Sequence, residues 1–472
     1  MMTTTQWLSE AAPALNLVGL AEHTEEVRPD FGFICVAKDV AQRKEYVQQA
    51  ITRGATAVLL ENADLESNEV PLFEITNLAA ERGELAARFY NEPSKSVKCI
   101  GITGTNGKTS VAFHIADFLN VLGHTSGYMG TLGWGLLSGL QDPNLTTSNA
   151  VALQHRLATL KRLGCDAVAM EVSSHALAQE RAHAVSFNVA VYTNLSRDHL
   201  DYHGTMEAYA EAKARLLSDF PVEVCILNAD DEFCSNLKAP VGCKVISYGH
   251  AGEWRWQREG SVVTWRTPHG SVSSELNVVA DYAIANITVA MIIAVEMGHQ
   301  LDECERALAH LSPVPGRLEV IKDRAEEQPT VAIDFAHTPD ALEKVLEAAR
   351  AFCTGRLICV VGCGGDRDKG KRPEMGAISA RLSDLVWLTS DNPRSEEPDQ
   401  IIADMLDGIS EGREQVHVCV DRREAIADAI AEAAPEDLVL IAGKGHEDYQ
   451  EIAGVKLPFS DHKVAREALK RH

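Results

Sequence analysis

The stretch "VKCIGITGTNGKTSVAFHIADFLNVLG" limits most tightly what this chain can fold into. An apolar run, a loop with glycines at Gly101, Gly104 and Gly107, and a helix-forming run follow one another. Glycine leaves backbone N–H groups free to face an anion, and a helix N-terminus favours negative charge, so the segment reads as a phosphate cradle. Lys108 would neutralise β/γ oxygens of a nucleotide and Thr109 would reach Mg²⁺. The spacing departs from G-x-x-x-x-G-K-[ST], because the residue five before Gly107 is Ile102.

Strand and helix signals alternate around this loop, as a parallel sheet with crossover helices requires. The 472 residues suit three α/β domains of roughly 100 to 200 residues each. Residues 1–92 read as a small α/β unit, with "FGFICVA" and "ATAVLLEN" as strands and "LAAERGELAARFY" as a helix. Residues 93–313 form the central parallel-sheet unit of phosphate-loop type. After the linker "LSPVPGRLE", residues 314–472 carry five apolar runs, "TVAIDFAH", "RLICVVGCGG", "DLVWLTSDN", "QVHVCV" and "DLVLIAGKG", each followed by a helix-like stretch. That is a second, Rossmann-like doubly wound unit, whose ligands gather at the carboxyl ends of its strands.

A net charge of −24 argues against broad nucleic-acid binding, which needs a basic face, so the phosphate site is local. Eleven scattered cysteines, none at C-x-x-C spacing, read as reduced thiols in a cytoplasmic protein. No basic n-region precedes an apolar run at the N-terminus, so no secretory signal is expected. The run "VVADYAIANITVAMIIAVEMG" is broken by Asp281, Asn286 and Glu296 and reads as a buried Ala-rich helix rather than a membrane span.

Several residues are placed for metal chemistry. Glu171 ends the apolar run of "CDAVAMEVSSH", where an unpaired carboxylate is costly unless a cation meets it. His199 falls in the polar loop of "VAVYTNLSRDHLDYHG". Taken alone, Glu171 reads equally as a helix cap and His199 as a loop histidine. Lys213 shares a helical stripe with Met206, Tyr209, Leu216 and Leu217. It reads either as a snorkelling stem or as a desolvated amine, neutral enough to take up CO₂ as a carbamate. Further on, "DNPRSEEP" sets Asn392 and Arg394 around Pro393, an amide and a planar guanidinium that suit a carboxylate. A surface turn with a solvated arginine is the plainer reading.

The ordered set "GTNGKT", "MEVSSH", "TNLSRDHLDYHG", "YAEAKARLL", "PGRLE", "DFAHTPDAL", "GCGGDRDKGKRP", "DNPRSEEP" and "AGKGHEDYQ" resembles the Mur ligases from about residue 85 to the end. The resemblance implies an ATP-dependent ligase that adds meso-diaminopimelate to UDP-N-acetylmuramoyl-L-alanyl-D-glutamate in cytoplasmic cell-wall precursor synthesis. It implies Gly104, Thr105, Asn106, Gly107, Lys108, Thr109 and Ser110 on the ATP phosphates. Thr109 and Glu171 would hold a first Mg²⁺, and His199 with carbamylated Lys213 a second. Asn286, Arg317, Asp334 and His337 would meet ATP from the other side of a cleft. Thr146, Thr147, Ser173, Gln179 and Arg181 match positions that hold the muramoyl-peptide, although Thr146 and Thr147 also read as a helix cap and Asn286 as a core amide. Arg367, Asp391, Asn392, Pro393, Arg394, Gly443 and Glu447 would form the diaminopimelate pocket, Arg394 on the distal carboxylate and Glu447 on the distal ammonium.

The first unit departs from that pattern. Where a D-S-R signature and a G-H-x-x-D-G-R loop would help hold the UDP end, the chain reads "EHTEEVRPDFGFICVAKDVAQRKEYV", so no uridine contacts carry over. Ala283 stands at the first asparagine of an N-V-x-N motif, and Leu145 precedes Thr146. The expected partners are small molecules only, with no nucleic acid and no membrane, and the expected state is a monomer. Two rivals are a folylpolyglutamate-type ligase, which gives no reason for "DNPR", and a non-catalytic nucleotide-binding protein, against which the set Lys108, Glu171, His199 and Lys213 speaks.

Overall fold

The computed structural model describes residues 1–62, 65, 67–143, 145–276, 280–321 and 327–471. Three parallel-rich sheets follow one another along the chain. The first holds β1 (Gly19–Ala21), β2 (Phe31–Cys35), β3 (Ala55–Leu60) and β4 (Leu72–Glu74), all parallel and in sequence order. β2 and β3 are apolar on both faces, as a sheet covered on both sides demands.

The central sheet comprises β5 (Lys98–Thr103), β6 (Ser126–Gly130), β7 (Gly133–Leu136), β8 (Ala167–Glu171), β9 (Val189–Tyr192), β10 (Val224–Asn228) and β11 (Lys244–Tyr248). Its order is β11-β10-β9-β5-β8-β6-β7, with only the edge strand β7 antiparallel. β5 and β8 lie at the middle, so the phosphate loop and Glu171 leave the sheet side by side at its carboxyl edge. Beneath it, the helices Lys108–Val121 and Asp281–Glu296 pack together in one core. The second is buried at Ile284 and from Asn286 through Ala294, and no described helix is long and apolar enough to cross a membrane. Its first residues expected from sequence, Val278 and Val279, lie outside the described residues.

A small antiparallel sheet, β12 (Arg255–Glu259), β13 (Val262–Thr267) and β14 (Gly270–Glu275), is absent from the sequence expectation. It caps this core with Trp256 and Trp265, the Trp265 indole donating to Thr288 Oγ1 at 2.9 Å.

The last large sheet contains β15 (Glu319–Val320), β16 (Thr330–Asp334), β17 (Leu357–Val361), β18 (Leu385–Leu388), β19 (Val416–Val418) and β20 (Leu438–Ala442). Its order is β15-β16-β20-β17-β18-β19, parallel except at β15. The five runs read from sequence are β16 to β20. A hairpin, β21 (Tyr449–Ile452) and β22 (Val455–Pro458), follows and touches the "DNPR" turn through an Arg394–Ile452 bridge.

Candidate active site

The carboxyl edges of the central and last sheets face each other, and the phosphate loop lies between them. Gly104 (φ 146°) and Gly107 (φ 86°) hold backbone conformations that a side chain would strain, and a Cβ on Gly104 would run into the Thr193 hydroxyl. The loop therefore turns closely enough for the helix Lys108–Val121 to point its N-terminus at the cleft. Lys108 folds back, its Nζ donating to the Gly104 and Thr105 carbonyls at 3.0 and 2.8 Å. Burial lowers the pKa of this amine.

Glu171 is buried and accepts four hydrogen bonds: from Tyr128 OH at 2.8 Å, Thr131 N–H at 2.8 Å, Thr131 Oγ1 at 3.3 Å and Thr109 Oγ1 at 3.0 Å. Glu171 and the loop threonine, expected as partners on one magnesium ion, are hydrogen-bonded neighbours. Ser110 is buried in the same helical turn, and the Asn286 amide oxygen lies against Gly107.

From the far side of the cleft, Arg317 donates to Thr109 Oγ1 at 2.9 Å while its guanidinium lies 4.5 Å above the Phe335 ring. Asp334 accepts from the Leu318 and Ala336 N–H groups, both at 2.7 Å, and so fixes the turn that carries Arg317. Burial raises the Asp334 pKa. His337 Nδ1 donates to the Phe335 carbonyl (2.9 Å), and burial brings its pKa down to about 4. Asn106 of the loop reaches across to Asp340 at 2.8 Å and accepts from the Thr338 hydroxyl at 3.2 Å.

Lys213 does not snorkel: it is 1% exposed, with Nζ donating to the Gly104 carbonyl at 2.7 Å and lying 4.4 Å over the Tyr209 ring. Burial, and then the neighbouring Lys108 charge, push its pKa well below the usual lysine value. His199 packs edge-to-face with Tyr209, at 5.9 Å between ring centroids, and burial lowers its pKa.

Sequence reasoning missed Asp198. It is buried, within 3.4 Å of His199 Nε2, 3.9 Å of His337 Nε2 and 3.5 Å of Lys371 Nζ. Burial pushes its carboxyl up, but Lys371 and the two histidines outweigh that and hold it below the usual range. His175 was missed too; its ring packs 4.8 Å from His199, and burial lowers its pKa to about 4.

Two further groups of expected residues come together. Thr147 Oγ1 donates to the Glu171 carbonyl at 2.8 Å and accepts from Ser173 N–H at 3.0 Å. Arg181 donates to the Thr147 carbonyl (3.0 Å) and to Gln179 Oε1 (2.9 Å), and Thr146 meets Thr131 hydroxyl to hydroxyl at 3.2 Å. Across the cleft, Asn392 donates to Glu447 Oε2 at 3.0 Å, and the Asp391 carboxylate crowds Gly443. Arg394, at φ 52° after Pro393, donates to the Gly365 carbonyl at 2.6 Å and lies 3.5 Å from Glu451. Arg367 is exposed and bonds the Asp366 carbonyl, its stem and the Arg394 guanidinium both lying beside Gly364. The unforeseen member is Lys444, fully buried, which donates to Asn392 Oδ1 at 3.0 Å and to Glu447 at 2.8 Å. Glu447 therefore already carries a lysine ammonium.

Among the described residues no group of three or more His, Cys, Asp or Glu side chains converges on a metal position. Magnesium does not need one, since it is held by one or two carboxylates with phosphate oxygens and water supplying the rest. Glu171 with Thr109 fits that pattern.

A glycine phosphate loop beside a buried carboxylate, tied to a second sheet that carries the Asn392–Lys444–Glu447 polar cluster, suits the class of ligases that join a carboxylate to an amine through ATP. The chain belongs to the Mur ligase family: residues 102–294 match the Mur ligase middle domain and residues 316–445 the Mur ligase, glutamate ligase domain. It is 42% identical to the UDP-N-acetylmuramoyl-L-alanyl-D-glutamate–2,6-diaminopimelate ligase of Ectopseudomonas mendocina, over 99% of this chain and 98% of that one. It is equally similar, at 42% with the same coverage, to the enzyme of that name from Pseudomonas aeruginosa. A solved structure with that name superposes with TM-score 0.64 at 34% identity, covering 96% of this chain and 95% of the other. A MurF from Acinetobacter baumannii shares the fold at TM-score 0.70 and 16% identity, covering 96% and 93%.

Proposed function

We propose that this protein joins meso-diaminopimelate to the D-glutamyl γ-carboxylate of UDP-N-acetylmuramoyl-L-alanyl-D-glutamate with cleavage of ATP to ADP and phosphate, in cytoplasmic peptidoglycan precursor synthesis, as a monomer. The observation that carries it is the Thr109–Glu171 pair at the phosphate loop, tied to the last unit by Arg317, with full-length relatives of that name. In this reading residues 1–92 and the Thr146, Thr147, Ser173, Gln179 and Arg181 network hold the donor. Residues 93–313 hold ATP, and residues 314–472 hold the incoming amino acid.

The reaction follows from the charges. A carboxylate is a poor electrophile, so the γ-carboxylate first attacks the γ-phosphorus of ATP, giving an acyl phosphate and ADP. Both reactants are anions, and Lys108 with the loop N–H groups lowers their repulsion and stabilises the transferring phosphoryl group. Magnesium at Thr109–Glu171, and a second ion near His199 and Lys213, would neutralise further phosphate charge. Buried and neutral, Lys213 takes up CO₂ to form a carbamate, its proton leaving to solvent, and so brings an anion to that second position. The diaminopimelate amine then attacks the acyl carbon, and the tetrahedral intermediate collapses to amide and phosphate. Arg317, Asn106 and Asp198, each bonded across the cleft, keep it shut against water that would hydrolyse the acyl phosphate.

The test is phosphate release measured with each substrate omitted in turn. Release is expected only when ATP, the muramoyl-dipeptide nucleotide and meso-diaminopimelate are all present. Equal release with a folate and glutamate, or with no acceptor, overturns the reading.

A further inference from the structure

Two helices of the central unit end alike. The helix Lys108–Val121 leads into "VLGHT" and the helix Asp281–Glu296 into "EMGHQ". In each, a left-handed glycine closes the last turn, Gly123 at φ 94° and Gly298 at φ 102°. The histidine that follows returns its N–H to a carbonyl five residues back, His124 to Leu119 at 3.0 Å and His299 to Ala294 at 3.1 Å. Because the two helices pack side by side, their imidazoles meet, Nε2 to Nε2, at 2.8 Å.

The outer ring nitrogens are held as well. His124 Nδ1 lies 2.8 Å from Asp166 Oδ2, and His299 Nδ1 lies 3.3 Å from Glu303 Oε2. A ring nitrogen beside a carboxylate oxygen keeps its proton, so each Nε2 turns a lone pair toward the other. Two lone pairs at that separation repel unless a cation stands between them. Two carboxylates and the negative ends of two helices surround the pair and favour positive charge there. A carboxylate behind each imidazole is also how proteins orient histidines toward metal ions.

We infer that His124 and His299 form a binding site for one imidazole-preferring divalent ion of the Zn²⁺, Ni²⁺ or Cu²⁺ type, with water completing its coordination. Metal–nitrogen bonds of about 2.0–2.1 Å at a tetrahedral angle place the two nitrogens ~3.3 Å apart, so the rings separate by about half an ångström. The ion replaces the single proton shared by the two Nε2 atoms, which leaves to solvent. Both side chains are reachable, at 22% and 18% exposed. The site lies past the C-terminus of the helix whose N-terminus faces the phosphate loop, ~20 Å away by helix rise, and so is separate from the magnesium positions.

Untagged full-length protein in excess Mg²⁺ is titrated with Zn²⁺ by calorimetry, and with Cu²⁺ followed by its visible absorption. A saturable site is expected, lost in His124→Gln and in His299→Gln, with phosphate release in Mg²⁺ unchanged. Asp166→Asn, which keeps both histidines, is expected to weaken it by about tenfold through loss of the orienting carboxylate. His175, His199 and His203 remain in every variant, so a loss confined to these substitutions identifies the site. Identical Zn²⁺ isotherms for wild type and both histidine variants, or no saturable binding in the wild type, overturn the inference and leave a proton-sharing contact.

Discussion

Arg317 Nη2 donates to Thr109 Oγ1 at 2.9 Å, joining the segment that enters the last sheet to the first turn of the phosphate-loop helix. The same hydroxyl donates to Glu171, so the guanidinium, the hydroxyl and the carboxylate form one line across the cleft. In the proposed function this line stands beside the phosphate loop that would hold ATP. Arg317→Ala is expected to lower kcat/KM for ATP by about 10- to 100-fold, matching the roughly 1.5–3 kcal/mol of a hydrogen bond to a charged group. Steady-state phosphate release over an ATP series reads it, and wild-type ATP dependence would refute the assignment.

Glu171 tests the metal reading. Its four donors leave the carboxylate oriented but, among the described residues, with no lysine or arginine bonded to it. Glu171→Gln keeps the shape, removes the charge and turns an NH₂ toward groups that themselves donate. The Mg²⁺ concentration for half-maximal rate should rise and kcat should fall by about 100-fold, as expected when a group stabilising transition-state charge is lost. A Mg²⁺ titration of the rate checks both.

How far the sequence alone reached depends on the range of each signal. Glu171 was legible because a carboxylate at the end of an all-apolar strand is a local contradiction, and Lys213 because it interrupts an apolar stripe. The parallel strands were legible as unbroken runs of Val, Ile, Leu and Ala. Asp198 carried no such mark: it sits in a polar loop, and only the fold brings Lys371 and His337 to it. Lys444 looked like one more residue of a glycine-rich loop until burial against Asn392 and Glu447 gave it a role. The β12–β14 sheet was missed because its strands show one thin apolar face, Trp256, Val263, Trp265 and Val272, among exposed polar residues.

Among the described residues the buried Lys213 amine bonds the Gly104 carbonyl and no carboxylate. If its carbamate supplies the anion for the second ion, Lys213→Ala should retain below about one hundredth of wild-type turnover, given what a metal-borne charge contributes to phosphoryl transfer. Acetate or propionate, filling the space with a free carboxylate, should restore part of it. Substantial turnover without rescue would remove the carbamate from the mechanism.

Acid should weaken the last unit at Glu396. Its hydrogen bonds to the fully buried Arg372, at 2.8 and 3.1 Å, bring its pKa from 4.5 down to about 2. A carboxylate with a depressed folded-state pKa stabilises the fold above its unfolded value and loses that contribution as pH falls through the folded one. The wild-type advantage in Tm over Glu396→Gln should therefore be full above pH 4.5 and decline steadily toward pH 2. A difference in Tm independent of pH across that window would rule the ion pair out as its source.

Under the proposed function, acceptor choice turns on what Arg394 does when no diacid is present. Its guanidinium is held by the Gly365 carbonyl and leans on Glu451 at 3.5 Å, an ion pair too long to be bidentate. A distal carboxylate of meso-diaminopimelate offers the planar two-bond geometry that Glu451 does not, and L-lysine offers nothing. Removing the guanidinium should then abolish the distinction: Arg394→Ala is expected to raise KM for meso-diaminopimelate by about 100-fold while barely changing the trace activity with L-lysine, as selectivity built on one charge pair implies. Glu451→Gln removes the competing anion, so it should leave KM for meso-diaminopimelate equal or lower. Competition assays with the two amino acids decide it, and a discrimination ratio unchanged in Arg394→Ala would move the distal carboxylate elsewhere in the pocket.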